Sequence, residues 1–83
     1  MANPKRTLET VKGRGGNIAF RDFQNLLEKL GFRLHRVRGS HHIYIHPNAT
    51  RPMNVQAGGK EAKPYQIRQL RDMIEEFKLK LED

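Results

Sequence analysis

The sequence predicts a small α+β domain of the order helix, three antiparallel strands, helix, with both helices packed on one face of the sheet. Three observations lead there. Two segments, 20–30 and 64–81, carry apolar residues at helical spacing. The stretch between them alternates apolar and polar residues, which is strand patterning, and is broken by tight-turn residues. The chain has 83 residues, enough for one domain and too few for two. A domain of this size buries only about 60% of its unfolded surface, so each apolar stripe must go into one shared core.

In the first of these helices Phe20, Phe23, Leu27 and Leu30 recur at spacings of three, four and three, and Leu26 widens the stripe. Gly31 follows as a left-handed stop. Residues 32–38 form the first strand, with Phe32 and Leu34 on one face and Arg33 and His35 on the other. Residues 42–46 form the second, with Ile43 and Ile45 on one face and His42, Tyr44 and His46 on the other. Gly39-Ser40 fits a two-residue type II′ hairpin, whose first central position calls for glycine. Pro47-Asn48-Ala49-Thr50 makes the next turn, and Arg51–Gln56 the third strand, with Pro52 suited to a strand start or an edge. Gly58-Gly59 turns the chain into the last helix, where Pro64 sits in the first turn. Ile67, Leu70, Ile74, Phe77 and Leu81 then repeat at three, four, three and four, beside Met73. The open sheet face is expected to be lined by charge, with Tyr44 on it as a base-stacking residue or a cross-strand partner.

Residues 1–17 form a basic N-terminal extension, flexible or a short helix, ahead of a domain spanning 18–83. Asn3 is placed to cap such a helix and Pro4 to begin it, and Leu8 and Val11 would dock it. The Gly-rich stretch 13–16 reads as a connector. No apolar run follows the basic start, so it is not a secretory signal, and nothing approaches the roughly 20 residues of a membrane span. A cytoplasmic protein without membrane contact is expected. With no cysteine there is no disulfide, thiolate zinc site or cysteine nucleophile.

Sixteen Lys/Arg against nine Asp/Glu give a formal charge of +7, which points to an anionic partner, nucleic acid first. The excess is localised. Between residues 31 and 68, Arg33, Arg36, Arg38, Arg51, Lys60, Lys63 and Arg68 face Glu61 alone, and all four histidines lie there too. The C-terminal residues 69–83 are slightly acidic. Such a distribution describes a patch.

No P-loop, dinucleotide fingerprint, HExxH or Cys/His zinc pattern occurs, and carboxylates are too scattered for a two-metal site. What remains is the hairpin with its histidines. RNA can be cut by its own 2′-hydroxyl attacking the neighbouring phosphorus, which needs a proton acceptor or donor and cations near the phosphoryl oxygens. Histidine, with an ordinary pKa near 6.5, suits either proton role, and Arg36, Arg38, Lys60 and Lys63 are candidates for charge stabilisation. His41, the first residue after the tight turn, is the best-presented candidate, although a surface histidine also fits a solvated or hydrogen-bonding role. His42 suits RNA binding or packing beside Tyr44; His35 and His46 read as solvated or hydrogen-bonding side chains.

Two stretches carry a family resemblance. Leu26-Leu27-Glu28-Lys29-Leu30-Gly31-Phe32 followed by Arg36-Val37-Arg38-Gly39-Ser40-His41-His42-Ile43-Tyr44-Ile45-His46-Pro47 resembles the HicA family of toxin–antitoxin mRNA interferases. The stretch from Asn54 through Gly58-Gly59-Lys60 and Lys63-Pro64 to Gln69 is similar to the end of that domain, so the likeness runs from about residue 18 to 79. It implies a fold like that of double-stranded-RNA-binding domains, α-β-β-β-α. It implies metal-independent, cofactor-free endonucleolytic cleavage of mRNA with His41 as catalyst, arresting translation. RNA contacts would fall on Arg36, Arg38, Gly39, Ser40, His42, Lys60 and Lys63. It further implies a HicB-like antitoxin that masks the site, the toxin being a monomer alone and part of a hetero-oligomer with its antitoxin. Many members have a histidine just before the Gly-Gly turn; Gln56-Ala57 in its place marks a subgroup. The competing reading is a non-catalytic RNA-binding module that recognises backbone shape.

Overall fold

The computed structural model describes residues 3–13, 16–56 and 59–82. The expected connector at 13–16 and turn at 58–59 lie partly outside the described residues. The elements are α1 (Pro4–Gly13), α2 (Phe20–Lys29), β1 (Arg33–Arg38), β2 (His41–Ile45), β3 (Met53–Gln56) and α3 (Pro64–Phe77). The strands form one antiparallel sheet in the order β1-β2-β3. This is the expected α+β fold, an open three-stranded sheet with helices on one side.

The N-terminal segment is a docked helix. Asn3 Oδ1 accepts the Arg6 N–H at 2.8 Å, which satisfies one of the free donors of the first turn. Thr7 and Val11, on one face at i,i+4, are buried. The Arg71 Nε–H of α3 donates to the Val11 carbonyl at 2.7 Å, pinning the helix near its C-terminus.

Phe23, Leu26 and Leu27 of α2, Leu70, Met73 and Ile74 of α3, and Tyr44, Met53 and Val55 of the sheet form the centre of one core. Strand pairing decides which side of β2 joins it. Tyr44 lies opposite Met53 and His42 opposite Val55, and facing residues of an antiparallel pair share a sheet face. Tyr44 is therefore buried at 2% exposure, while Ile45 is 43% exposed on the open face. This corrects the expectation that Tyr44 lies on the open face. Alternation separates the two sets of side chains, but β3 and the helices choose the set that goes inside. The Gln24 amide donates to the Tyr44 hydroxyl at 3.2 Å, so the buried phenol has a partner.

Burial pushes the Tyr44 phenol above the ordinary tyrosine value; the Gln24 hydrogen bond opposes the rise and the Glu28 charge adds to it. The folded state thus holds this proton more tightly than the unfolded chain does. The associated stability is complete below about pH 10 and is lost as pH rises through the folded-state value. A spectrophotometric titration should show a late-ionising tyrosine that Tyr44→Phe abolishes. Ionisation of every tyrosine at the ordinary value would contradict it.

His46 is also buried, at 8% exposure, contrary to a solvated role. Its Nε2–H donates to the Leu30 carbonyl at 2.8 Å and its Nδ1 accepts the Asn48 N–H at 2.9 Å. Both ring nitrogens are committed, and the Phe32 ring meets the imidazole edge-on at 5.1 Å. The histidine ties the end of α2 to the turn after β2.

Two further departures have clear causes. A bulge between Leu34 and Arg36 resets the alternation of β1. Leu34, expected to join Phe32 in the core, precedes the bulge and pairs with buried Tyr44, yet is 50% exposed, because every residue of this edge strand is exposed. Helix α3 ends at Phe77, short of Leu81, because Lys78 turns left-handed and the Leu79 N–H reaches back to the Ile74 carbonyl at 3.1 Å. The chain then returns to α2, where the Glu82 N–H donates to the Lys29 carbonyl at 2.7 Å.

Candidate functional site

The site grows from the β1–β2 hairpin. Arg38 and His41 pair across it, leaving Gly39 and Ser40 as a two-residue loop. Gly39 has φ +59°, while Ser40 is not left-handed, the combination a type II′ turn requires. A Cβ on Gly39 would meet nothing within 4 Å, so conformation, not space, calls for glycine here. The turn delivers His41 to solvent at the start of β2.

Register then assembles the open face. His41 lies opposite Arg38 on one side and Gln56 on the other, and Ile43 lies opposite Arg36 and Asn54. Arg36, Arg38, His41, Asn54 and Gln56 therefore share one face. Arg33, opposite Ile45, extends it, and none of these paired residues is a carboxylate. His41 Nδ1 lies 3.3 Å from Asn54 Oδ1. Sequence reading missed Asn54. Its signal was a polar residue between Met53 and Val55 in a strand, whose outward side can only be that of the exposed hairpin face.

The other candidates are placed differently. Gly39 and Ser40 form the turn itself. His42, one residue on from His41, projects to the covered side, half-buried, edge-on to Phe20 at 6.1 Å, with its Nδ1 buried and without a hydrogen-bond partner. Lys60 and Lys63 belong to the segment that leads into α3. The Lys60 carbonyl accepts the Phe20 N–H at 2.8 Å, and its exposed side chain lines a depression with Ala19, Arg21 and Asp22 at the start of α2. Lys63 stands at the N-cap of α3, where its carbonyl accepts the Ile67 N–H at 3.1 Å. Arg36, Arg38, the turn and His41 are thus brought together, while the two lysines lie on the neighbouring segment.

Over residues 20–79 the chain matches the family model described as HicA toxin of bacterial toxin-antitoxin. The chain belongs to the HicA toxin family. Neither the curated proteins nor the solved structures offer a match. The matched span begins at the first residue of α2 and contains the whole hairpin site; α1 lies outside it. Membership makes the protein a toxin of a toxin–antitoxin system and implies a cognate antitoxin. Among the described residues no helix is long and apolar enough to cross a membrane.

In this HicA chain the His41 imidazole stands exposed with its Nδ1 against Asn54 Oδ1. When Asn54 Oδ1 accepts the Nδ1–H of His41, the neutral ring carries its lone pair on Nε2. An exposed imidazole in that tautomer can accept a proton from a bound ligand, and the arginines on the same face supply positive charge. His46 is excluded from such work because both its nitrogens are hydrogen-bonded within the fold.

Proposed function

We propose that this HicA toxin is a metal-independent mRNA endonuclease in which His41 performs the proton transfer. The observation that carries this reading is His41 itself: an exposed imidazole beside a tight turn, its Nδ1 against Asn54 Oδ1, sharing its face with Arg36 and Arg38. Nε2 takes the proton of an RNA 2′-hydroxyl, the O2′–P bond forms and the P–O5′ bond breaks. The departing 5′-oxygen takes up a proton from water or from the imidazolium. The products are a 2′,3′-cyclic phosphate and a 5′-hydroxyl. Arg36 and Arg38 offset the charge that builds on the phosphoryl oxygens, and the backbone of Gly39 and Ser40 lets the strand approach closely. Lys60 and Lys63 extend the cationic track along the RNA backbone.

Loss of mRNA arrests translation in the cytoplasm. A HicB-like antitoxin silences the toxin by covering the open sheet face and His41, and acidic residues on it speed association with the arginines. The toxin alone is a monomer and joins the antitoxin in a hetero-oligomer.

The test is incubation of the purified protein with RNA in excess chelator. Cleavage with 2′,3′-cyclic phosphate ends is the expected result. Intact RNA bound in a salt-sensitive manner would instead identify a non-catalytic RNA-binding module.

A further inference from the structure

The molecule has six aromatic residues. Phe23, Phe32 and Tyr44 are buried, and Phe20 and Phe77 are half-buried, the latter beneath the Arg51 guanidinium. Tyr65 alone is exposed, at 48%. It is the second residue of α3, at the end of the sheet where β3 stops. Its hydroxyl lies 3.5 Å from Gln56 Oε1 and accepts from Gln66 Nε2 at 3.3 Å. Gln66 is wholly buried, and its Oε1 has no hydrogen-bond partner among the described residues. Gln56 faces His41 directly across the β2–β3 pair. The phenol therefore touches the side chain that is the cross-strand neighbour of His41.

We propose that the Tyr65 ring is a nucleobase subsite: it stacks on a base of single-stranded RNA next to the phosphate presented to His41. The inference rests on the RNA-cleaving reading of the hairpin face. An A-form strand does not align a 2′-hydroxyl with the bond it must break, so the nucleotide has to leave regular stacking, and a displaced base needs a new apolar surface. An exposed ring at the edge of a cationic face supplies one that every base can use. Both hydrogen bonds to the hydroxyl are long, so they orient the ring loosely, and the stacking surface itself carries the affinity. Lys63, two residues earlier at the helix start, is the nearest cation in sequence for the adjoining phosphate.

The experiment uses the full chain in a His41→Ala background, so that RNA is bound without being cut. Stacking worth about 1–3 kcal/mol per base corresponds to an affinity ratio of roughly 5- to 150-fold. Adding Tyr65→Leu should weaken binding of a single-stranded RNA oligonucleotide within that range, while Tyr65→Phe, which keeps the ring, should restore it. An oligonucleotide with abasic positions should bind the Leu variant and its parent alike. The chain has no tryptophan and two tyrosines, so RNA should quench tyrosine emission, and Tyr65→Phe should remove that quenching. Unchanged affinity in the Leu variant, or an equal loss on abasic RNA, overturns the subsite. If the wild type binds RNA with these signatures but never cuts it, the nuclease reading fails and the subsite stands.

Discussion

Replacing His41 by alanine is expected to lower RNA cleavage by about 10²–10⁴-fold, the usual contribution of a single positioned acid or base. The fold should survive the change. His41 is exposed, and among the described residues its side chain makes one hydrogen-bond contact, to Asn54 at 3.3 Å. Nothing in the core leans on it, so thermal unfolding should stay within a few degrees of wild type, as for other surface substitutions. Expression of the wild-type toxin should arrest growth and expression of His41→Ala should not. RNA affinity should persist in the variant, because Arg36 and Arg38 remain. A His41→Ala protein that is folded and cleaves RNA at the wild-type rate would remove His41 from the mechanism.

The second large effect is on stability, at the far end of the same hairpin. Gly31 has φ +102°, a conformation that side-chain-bearing residues rarely adopt. A Cβ placed on it would lie 2.7 Å from Glu82 Oε2 and 2.8 Å from His46 Nε2. The Glu82 side chain is exposed and can swing away. His46 cannot, because the Leu30 carbonyl and the Asn48 N–H hold its two nitrogens and Phe32 flanks the ring. Gly31→Ala must therefore combine backbone strain with displacement of a buried, doubly hydrogen-bonded imidazole. The expected destabilisation is about 2–4 kcal/mol. For a domain this small that is a fall of roughly 10–25 °C in Tm. Thermal unfolding measures it directly, and a change below about 2 °C would show that the turn adapts. Below its own Tm the variant should still cut RNA, since Gly31 lies at the opposite end of β1 from His41.

How much of this was legible beforehand differs element by element. Helix α2 and its stop at Gly31 follow from a 3.6-residue period and a glycine, both local properties. So does the hairpin turn, since Gly39-Ser40 leaves a two-residue loop few alternatives. Tyr44 was not legible in this way. His42, Tyr44 and His46 alternate with Ile43 and Ile45 as either set must, and hydropathy alone favoured the isoleucines for the core. The larger phenol goes inside because Gln24 satisfies its hydroxyl and Met53 faces it across the sheet. Leu34 departs for a related reason: its pairing with Tyr44 keeps it on the covered side, but it stands on an edge strand whose residues are all exposed.

The site divides along the same line. The hairpin histidine, the basic centre of the chain and the family likeness can be read from residue order, because turn chemistry, charge count and motif are properties of neighbours in sequence. Gln56 and Tyr65 cannot, and Asn54 only as an outward polar residue of β3, since each meets the hairpin residues through strand register or the packing of α3. Likewise the sequence leaves α1 as either a loose tail or a helix, and burial of Thr7 and Val11 decides between them. By itself, then, the sequence determined the order of elements, the turn that presents His41 and membership of the HicA toxin family. Tertiary structure alone decided which face of β2 is buried, which histidine is locked into the fold and which side chains stand beside the exposed one. The reason is physical: local energies set periodicity and turns, while the choice between two alternating faces depends on what the rest of the chain brings to cover one of them.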